Sequence, residues 1–281
     1  MFAPLTNARV VTIALNVPGP MAAARLRELG AHVTKIEPPD GDPLRGFNAH
    51  WYAKLAAGMT TETCDLKSEP GRERILHLLN NADILLTSQR PAALNRLGLG
   101  WDGLHLRHPR LCQVAIVGYP TPDQDIAGHD LTYMAVNGLL SPPDLPRSLY
   151  ADVATSEHAA FTALAALLER NRTGSGHYRE VALADAATRL AEPLAATLTR
   201  PGALLGGGFP GYNLYRSRDG WIALAALEPH FHRRLGEVFG VNSPTYEQLA
   251  EHFATEGGAY WQSFARAHDL PIAVVADAPP Q

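Results

Sequence analysis

Three polar residues stand where this chain changes direction, and each is of a type that can move a proton. Asp152 in "SLYADVATSEHAAF" lies at the mouth of a long run rich in alanine and leucine. His129 in "AGHDLTY" follows a loop of glycine, proline and aspartate, and Glu228 in "LEPHF" precedes a proline suited to the first position of a helix. A carboxylate at the start of a helix has two readings. It can be an N-cap, worth about 1 kcal/mol, or it can be a general acid–base or nucleophilic group. Residue type and spacing leave both open for Asp152. Asp130 reads as the cap of the helix that it begins, and Glu228 as a charge serving its helix dipole.

Other chemistries lack their motifs. The turn after the first apolar run is "NVPGPM", with a single glycine, so no dinucleotide site is expected there. No Walker A lysine, GxSxG elbow or HExxH occurs. Glu228, His230 and His232 cluster in "EPHFH", but with a helix starting at Pro229 two histidines two apart point to different faces. No metal is expected.

The elements that must position these residues read as alternating strands and helices. A strand is predicted over Val10–Leu15, a helix over Pro20–Leu29 and a strand over Val33–Glu37. A helix through "EPGRERILHLLNN", the strand "DILLTS", short helices at "PAALNRLG" and "WDGLHLRH" and the strand "LCQVAIVG" follow. Helices over about Leu131–Leu140 and Val153–Asn171, the strand "YREVAL" and a helical "ADAATRLAEPLAATL" complete the series. This alternation predicts an α/β fold, a Rossmann-like parallel sheet in a large domain over residues 1–200. A glycine-rich linker over 201–211 leads to a smaller α+β domain over 212–281. That domain opens with a hairpin turning at Arg218-Asp219-Gly220 and ends in the apolar strand "PIAVV".

Composition narrows the partners. The 281 residues are 46% hydrophobic and 19% charged with a formal net charge of -4, which argues against nucleic acid. No run reaches transmembrane length, so no membrane partner is expected. The N-terminus reads as strand, turn and helix, not as a secretory signal. Two cysteines, Cys64 and Cys112, with no CxxC pattern, fit a reducing compartment, and a cytoplasmic location is expected.

The order of these features resembles the family III CoA-transferases (the CaiB/BaiF family), which include the α-methylacyl-CoA racemases. The resemblance is carried by "GPMAAARLRELGAHVTKIEPPDGDPLR", by the stretch from "CDLKSEPGRERILHLLNNADILLTSQRP" to "LCQVAIVG", and by "YADVATSEHAAFTALAALLERNRTGSGHYREVALADA". It covers residues from about 10 to 275 and implies the family fold, an interlocked homodimer and an acyl-CoA substrate. Coenzyme A would arrive as part of that substrate, with no tightly bound cofactor.

The resemblance places the family's catalytic aspartate at Asp152. In the transferases this carboxylate attacks the thioester and then carries CoA as an aspartyl thioester; a helix N-terminus favours the ionised form such a nucleophile needs. In the racemase branch a histidine in "GHD-x-x-Y" and a glutamate in "EP-x-F" join it, here His129 and Glu228. That pattern points to 2-methylacyl-CoA racemase-like exchange of the α-proton, with transferase chemistry and an inactive, dimeric binding paralogue as alternatives. Gly206, Gly207 and Gly208 resemble the loop that covers the reacting carboxylate, where bare backbone N–H groups approach an oxyanion. The family's basic stretch before "DLK" is replaced by "AAGMTTETC", so the CoA phosphates are expected to fall to Arg45 and Arg90. Family members usually continue beyond the point matching Gln281, so a C-terminal return segment is expected to be missing.

Overall fold

The computed structural model describes residues 2–278. Its contacts divide the chain into two compact units, one ending at Ala191 and the other beginning at Glu192.

The first unit is built on β1 (Arg9–Thr12), β2 (His32–Glu37), β3 (Thr60–Thr63), β4 (Ile84–Thr87), β5 (Cys112–Val117) and β6 (Tyr178–Ala182). They form one sheet in the order β3-β2-β1-β4-β5-β6, with every neighbouring pair parallel. The order reverses between β1 and β4, the doubly wound pattern of Rossmann-like folds. The fold class expected from the sequence is therefore the one found. β4 and β5 are buried along their whole length, as strands covered on both faces must be.

Among the described residues the helices of this unit are α1 (Pro18–Glu28), α2 (Pro43–Phe47), α3 (Ala49–Ala56), α4 (Glu69–Leu79), α5 (Pro91–Arg96), α6 (Trp101–Arg107), α7 (Asp130–Val136) and α8 (Tyr150–Thr173), which connect the strands, and α9 (Leu183–Leu190), which follows β6. α1 and α8 pack together on one face of the sheet around Ala22, Ala23, Leu26, Ala159 and Ala163. Ile75, Leu79, Leu94 and Leu104 fill the other face. The small alanines let the helices approach closely while the aliphatic side chains of the strands fill the space between layers. β3, α2 and α3 were not expected from the sequence. "TTET" is a mostly exposed edge strand with no apolar face to announce it.

The second unit begins with a short helix, α10 (Glu192–Ala195), and a π-type turn over Leu204–Gly208. Its sheet is β7 (Tyr212–Arg216), β8 (Trp221–Ala225) and β9 (Ile272–Val274), all antiparallel. The hairpin turns where expected, Ser217 N–H donating to the Gly220 carbonyl at 3.0 Å. Against this sheet lie α11 (Pro229–Phe239), α12 (Tyr246–Ala254) and α13 (Gly258–His268), with Tyr215, Leu235, Phe253 and Trp261 at the centre of the core. Among the described residues no helix is long and apolar enough to cross a membrane.

Candidate active site

A right-handed crossover returns antiparallel to the strands it joins. α8 links β5 to β6, so it starts at the carboxyl edge of the sheet. At its far end Arg170 donates to Asp83 Oδ1 at 2.7 Å, just ahead of β4. Asp152 in the first turn of α8 thus lies on the carboxyl edge, as do three other residues of the first unit. His129 precedes α7, Arg90 precedes α5 directly after β4, and Arg45 lies in α2 beyond β2. Arg90 stands at the point where strand order reverses, the usual ligand crevice of an open α/β sheet. The two loops at that point are tied together by Gln89 Nε2 donating to the Ile13 carbonyl at 2.7 Å and Leu15 N–H donating to Ser88 Oγ at 2.9 Å.

Asp152 is not an N-cap. Leu149 holds that position without a side-chain bond, and Asp152 is the third helical residue. Its main-chain N–H, one of the donors a helix start leaves orphaned, donates to Asp130 Oδ1 at 3.0 Å. Asp130 is therefore a cap, but of α8 and not of the helix it begins. At α7 the His129 N–H donates to Thr132 Oγ1 at 3.0 Å, and that hydroxyl donates to the His129 carbonyl at 2.8 Å. His129 itself is exposed, with its backbone held from both sides.

The electrostatics of Asp152 also differ from the sequence expectation. A helix N-terminus favours the ionised carboxylate, yet the Asp152 carboxyl is pushed up to about 7 by burial and then by the charge of Asp130. Desolvation and a like charge outweigh the helix end. The group that results can give or take a proton near neutrality.

Tyr133, 1% exposed, closes this corner. Its hydroxyl sits so close to Gly118 and Gly128 that a Cβ on either would lie 2.5 Å away. Burial pushes that hydroxyl up to about 12, with Tyr119 and Asp152 adding to the shift. Neither Tyr133 nor the reach of Asp130 to α8 was foreseen. Both residues lie in the "GHDLTY" run that singled out His129, which was the only available signal.

Arg45 is half exposed and partly engaged. It donates to Glu37 Oε2 at 3.3 Å and lies over the Tyr52 ring, 4.8 Å from its centre. Arg90 is exposed.

In the second unit the glycines build a turn. The N–H groups of Gly206 and Gly208 both donate to the Ala203 carbonyl, at 2.9 and 2.8 Å, and so are turned inward. Gly207 has φ +91°, and a Cβ on Gly206 or Gly208 would run into main-chain carbonyls. Glu228 is the exposed residue capping α11, without a side-chain cap bond. His230 packs on Phe231 and His232 on Phe209, so the two rings go separate ways. Among the described residues no group of three histidine, cysteine or acidic side chains is placed to hold a metal ion.

Residues 5–278 match the model of CoA-transferase family III. The chain belongs to that family. Its relatives within CoA-transferase family III include a succinyl-CoA–D-citramalate CoA-transferase of Chloroflexus aurantiacus, 29% identical over 84% of this chain and 65% of the relative. The human α-methylacyl-CoA racemase is also 29% identical, over 85% of this chain and 65% of its own length. The chain thus spans about two thirds of the length of these curated relatives. Among solved structures, a hypothetical protein of Mycobacterium tuberculosis has a TM-score of 0.84 and 27% identity, with 98% of this chain and 86% of that one covered.

Proposed function

We propose that this family III chain acts on acyl-CoA thioesters and that its reaction is exchange of the proton next to the thioester carbonyl, as in a 2-methylacyl-CoA racemase. The observation that carries this reading is the placing of Asp152 in the first turn of α8 beside the buried Asp130, where burial and that charge push its carboxyl up to about 7. An acid–base group works best when its proton comes and goes near the working pH, whereas a nucleophile is wanted ionised throughout. His129, on the same edge of the sheet, is the second exchanging group, as the resemblance of "GHDLTY" to the racemase pattern implies. One of the two removes the α-proton from one face and the other returns a proton to the opposite face. By resemblance Glu228 has a supporting role, Arg45 and Arg90 take the CoA phosphates, and Gly206–Gly208 are the family's glycine loop. Coenzyme A enters as part of the substrate.

An interlocked homodimer belongs to this reading. The exposed Leu131, Val136, Leu145, Leu149 and Tyr150, in α7 and leading into α8, support it as an apolar surface seeking cover. A second reading, CoA transfer through an Asp152–CoA thioester, is supported by the similarity to the Chloroflexus transferase.

Incubation with 2-methylacyl-CoA in deuterated water, with mass analysis of substrate and protein, tests both. The substrate should gain one deuterium, and Asp152→Asn and His129→Ala should each lower that exchange a hundredfold or more, with ~10²–10⁴ typical for such groups. A CoA adduct on the protein without deuterium in the substrate favours the transferase. Undiminished exchange by Asp152→Asn overturns the assignment of Asp152.

A further inference from the structure

Asp130 is 4% exposed, and no ion pair among the described residues answers it. Oδ1 accepts the Asp152 N–H at 3.0 Å, while Oδ2 is buried without a hydrogen-bond partner among the described residues. A buried carboxylate oxygen left without a donor is costly, and such groups call for an explanation. A cap alone needs one oxygen, and serine or asparagine would serve it equally well. The second oxygen, and the charge, are surplus to that task.

We propose that Asp130 is a positioning residue for Asp152: one oxygen of its buried carboxyl fixes the first turn of α8, and the group acts through space on the Asp152 carboxyl. The proposal deepens the reading of Asp152 as an acid–base group and rests on it for its catalytic consequence, though not for the coupling between the two carboxyls. Asp130 and Tyr133 face Asp152 from α7, with His129 one residue ahead of Asp130. Other charged groups packed around α8 have partners of their own, and Asp185 of α9 acts on His158. Arg25 of α1 holds Glu157, Arg189 of α9 meets His158, and Arg170 holds Asp83. Cys112 of β5 reaches the Ala166 carbonyl, and Glu180 of β6 accepts from Thr121, Gln124 and Tyr178. Asp130 is the charge that acts on Asp152, and a like charge makes a carboxylate harder to form.

Carboxyl-carbon NMR titration of the whole chain reads this directly, with the Asp152 signal assigned by its loss in Asp152→Asn. The wild-type midpoint is expected near 7. In Asp130→Asn, which keeps an oxygen for the Asp152 N–H, it should fall by about one pH unit. Asp130→Ser removes the charge by a second route should the asparagine variant fail to fold, and Asp130→Glu, which keeps the charge, should hold the midpoint high. The pH profile of deuterium exchange should move with the midpoint, to lower pH in Asp130→Asn. An unmoved midpoint in a folded Asn or Ser variant overturns the proposal. If the midpoint moves while wild type exchanges no deuterium, the coupling stands and the acid–base reading of the site falls.

Discussion

Two pairs of carboxyls, three of the four groups buried and Asp152 partly so, lie along the same edge of the sheet, and they are treated in opposite ways. Glu37 and Asp42 are 1% and 2% exposed and share a fully buried Lys35. The lysine Nζ is 2.7 Å from Asp42 Oδ2 and 3.5 Å from Glu37 Oε1, and it also donates to the Ala14 carbonyl. Asp42 Oδ1 accepts main-chain N–H groups from Asn16 and Leu44, and Glu37 takes Arg45 and the Tyr52 hydroxyl. Every carboxylate oxygen has a donor. Among the described residues Asp130 and Asp152 have no ion-pair partner, and Asp130 Oδ2 has no hydrogen-bond donor. The first cluster locks the end of β2 to the loop after it. The second holds a carboxyl in a state from which a proton is easily gained or lost. Saturated partners make a carboxyl structural, and withheld partners leave it free for chemistry.

The sharpest way to break this contrast is to remove the cation from the satisfied cluster. Lys35→Met strands two buried carboxylates and should cost about 3–5 kcal/mol of stability in urea unfolding. Asp130→Asn, in the unsatisfied cluster, should cost only about a few tenths. Similar losses from both would erase the distinction.

Next in size is the pH dependence of stability. Folding raises the Asp152 carboxyl from an ordinary 3.8 to about 7. The folded state therefore prefers the protonated form. The corresponding stability is fully present below about pH 4 and is lost as pH rises through about 7. Between those limits wild type should lose on the order of 2–4 kcal/mol more than Asp152→Asn. Paired thermal melts at pH 5 and 8 check this, and parallel curves would place the Asp152 carboxyl in water.

Smallest is the effect that separates the two arginines. Arg90, at the switch point, should when changed to alanine weaken CoA-ester binding about tenfold, the worth of one charge-assisted phosphate contact. Arg45→Ala removes a guanidinium already turned to Glu37 and Tyr52, so it should cost at most about 1 kcal/mol of stability and less in binding. Calorimetry with a CoA ester distinguishes them, and a larger binding loss at Arg45 would move the phosphates to the satisfied cluster.

Much of the architecture was legible because its strands are apolar and its helices amphipathic. "ILLT" and "CQVAIV" can hardly be anything but buried strands between helices. β3 escaped because an exposed edge strand needs no hydrophobic face. α2 and α3 escaped by shortness, although Asp42 and Asn48 each cap one of them with a side-chain bond. At the site, sequence could mark Asp152 as an acid near a helix start but could not tell the cap from the third helical residue. That distinction rests on where Leu149 falls and on a bond reaching back 22 residues to Asp130. Nor does spacing reveal burial, which is what reverses the expected effect of the helix end on Asp152.

The bond from the Asp152 N–H to Asp130 also bears on the segment between α7 and α8. Residues 137–149 form a loop, much of it exposed, with Leu145 73% accessible. The clasp joins the start of α7 to the start of α8, with α7 and the loop between them. The first turn of α8 is therefore held by a contact outside the loop, and lengthening the loop adds only a slowly growing entropic cost. Insertions and new side chains can accumulate at the exposed turn 141–144, beyond Leu139 and Leu140 that pack on the core, which makes that turn a natural place for laboratory diversification.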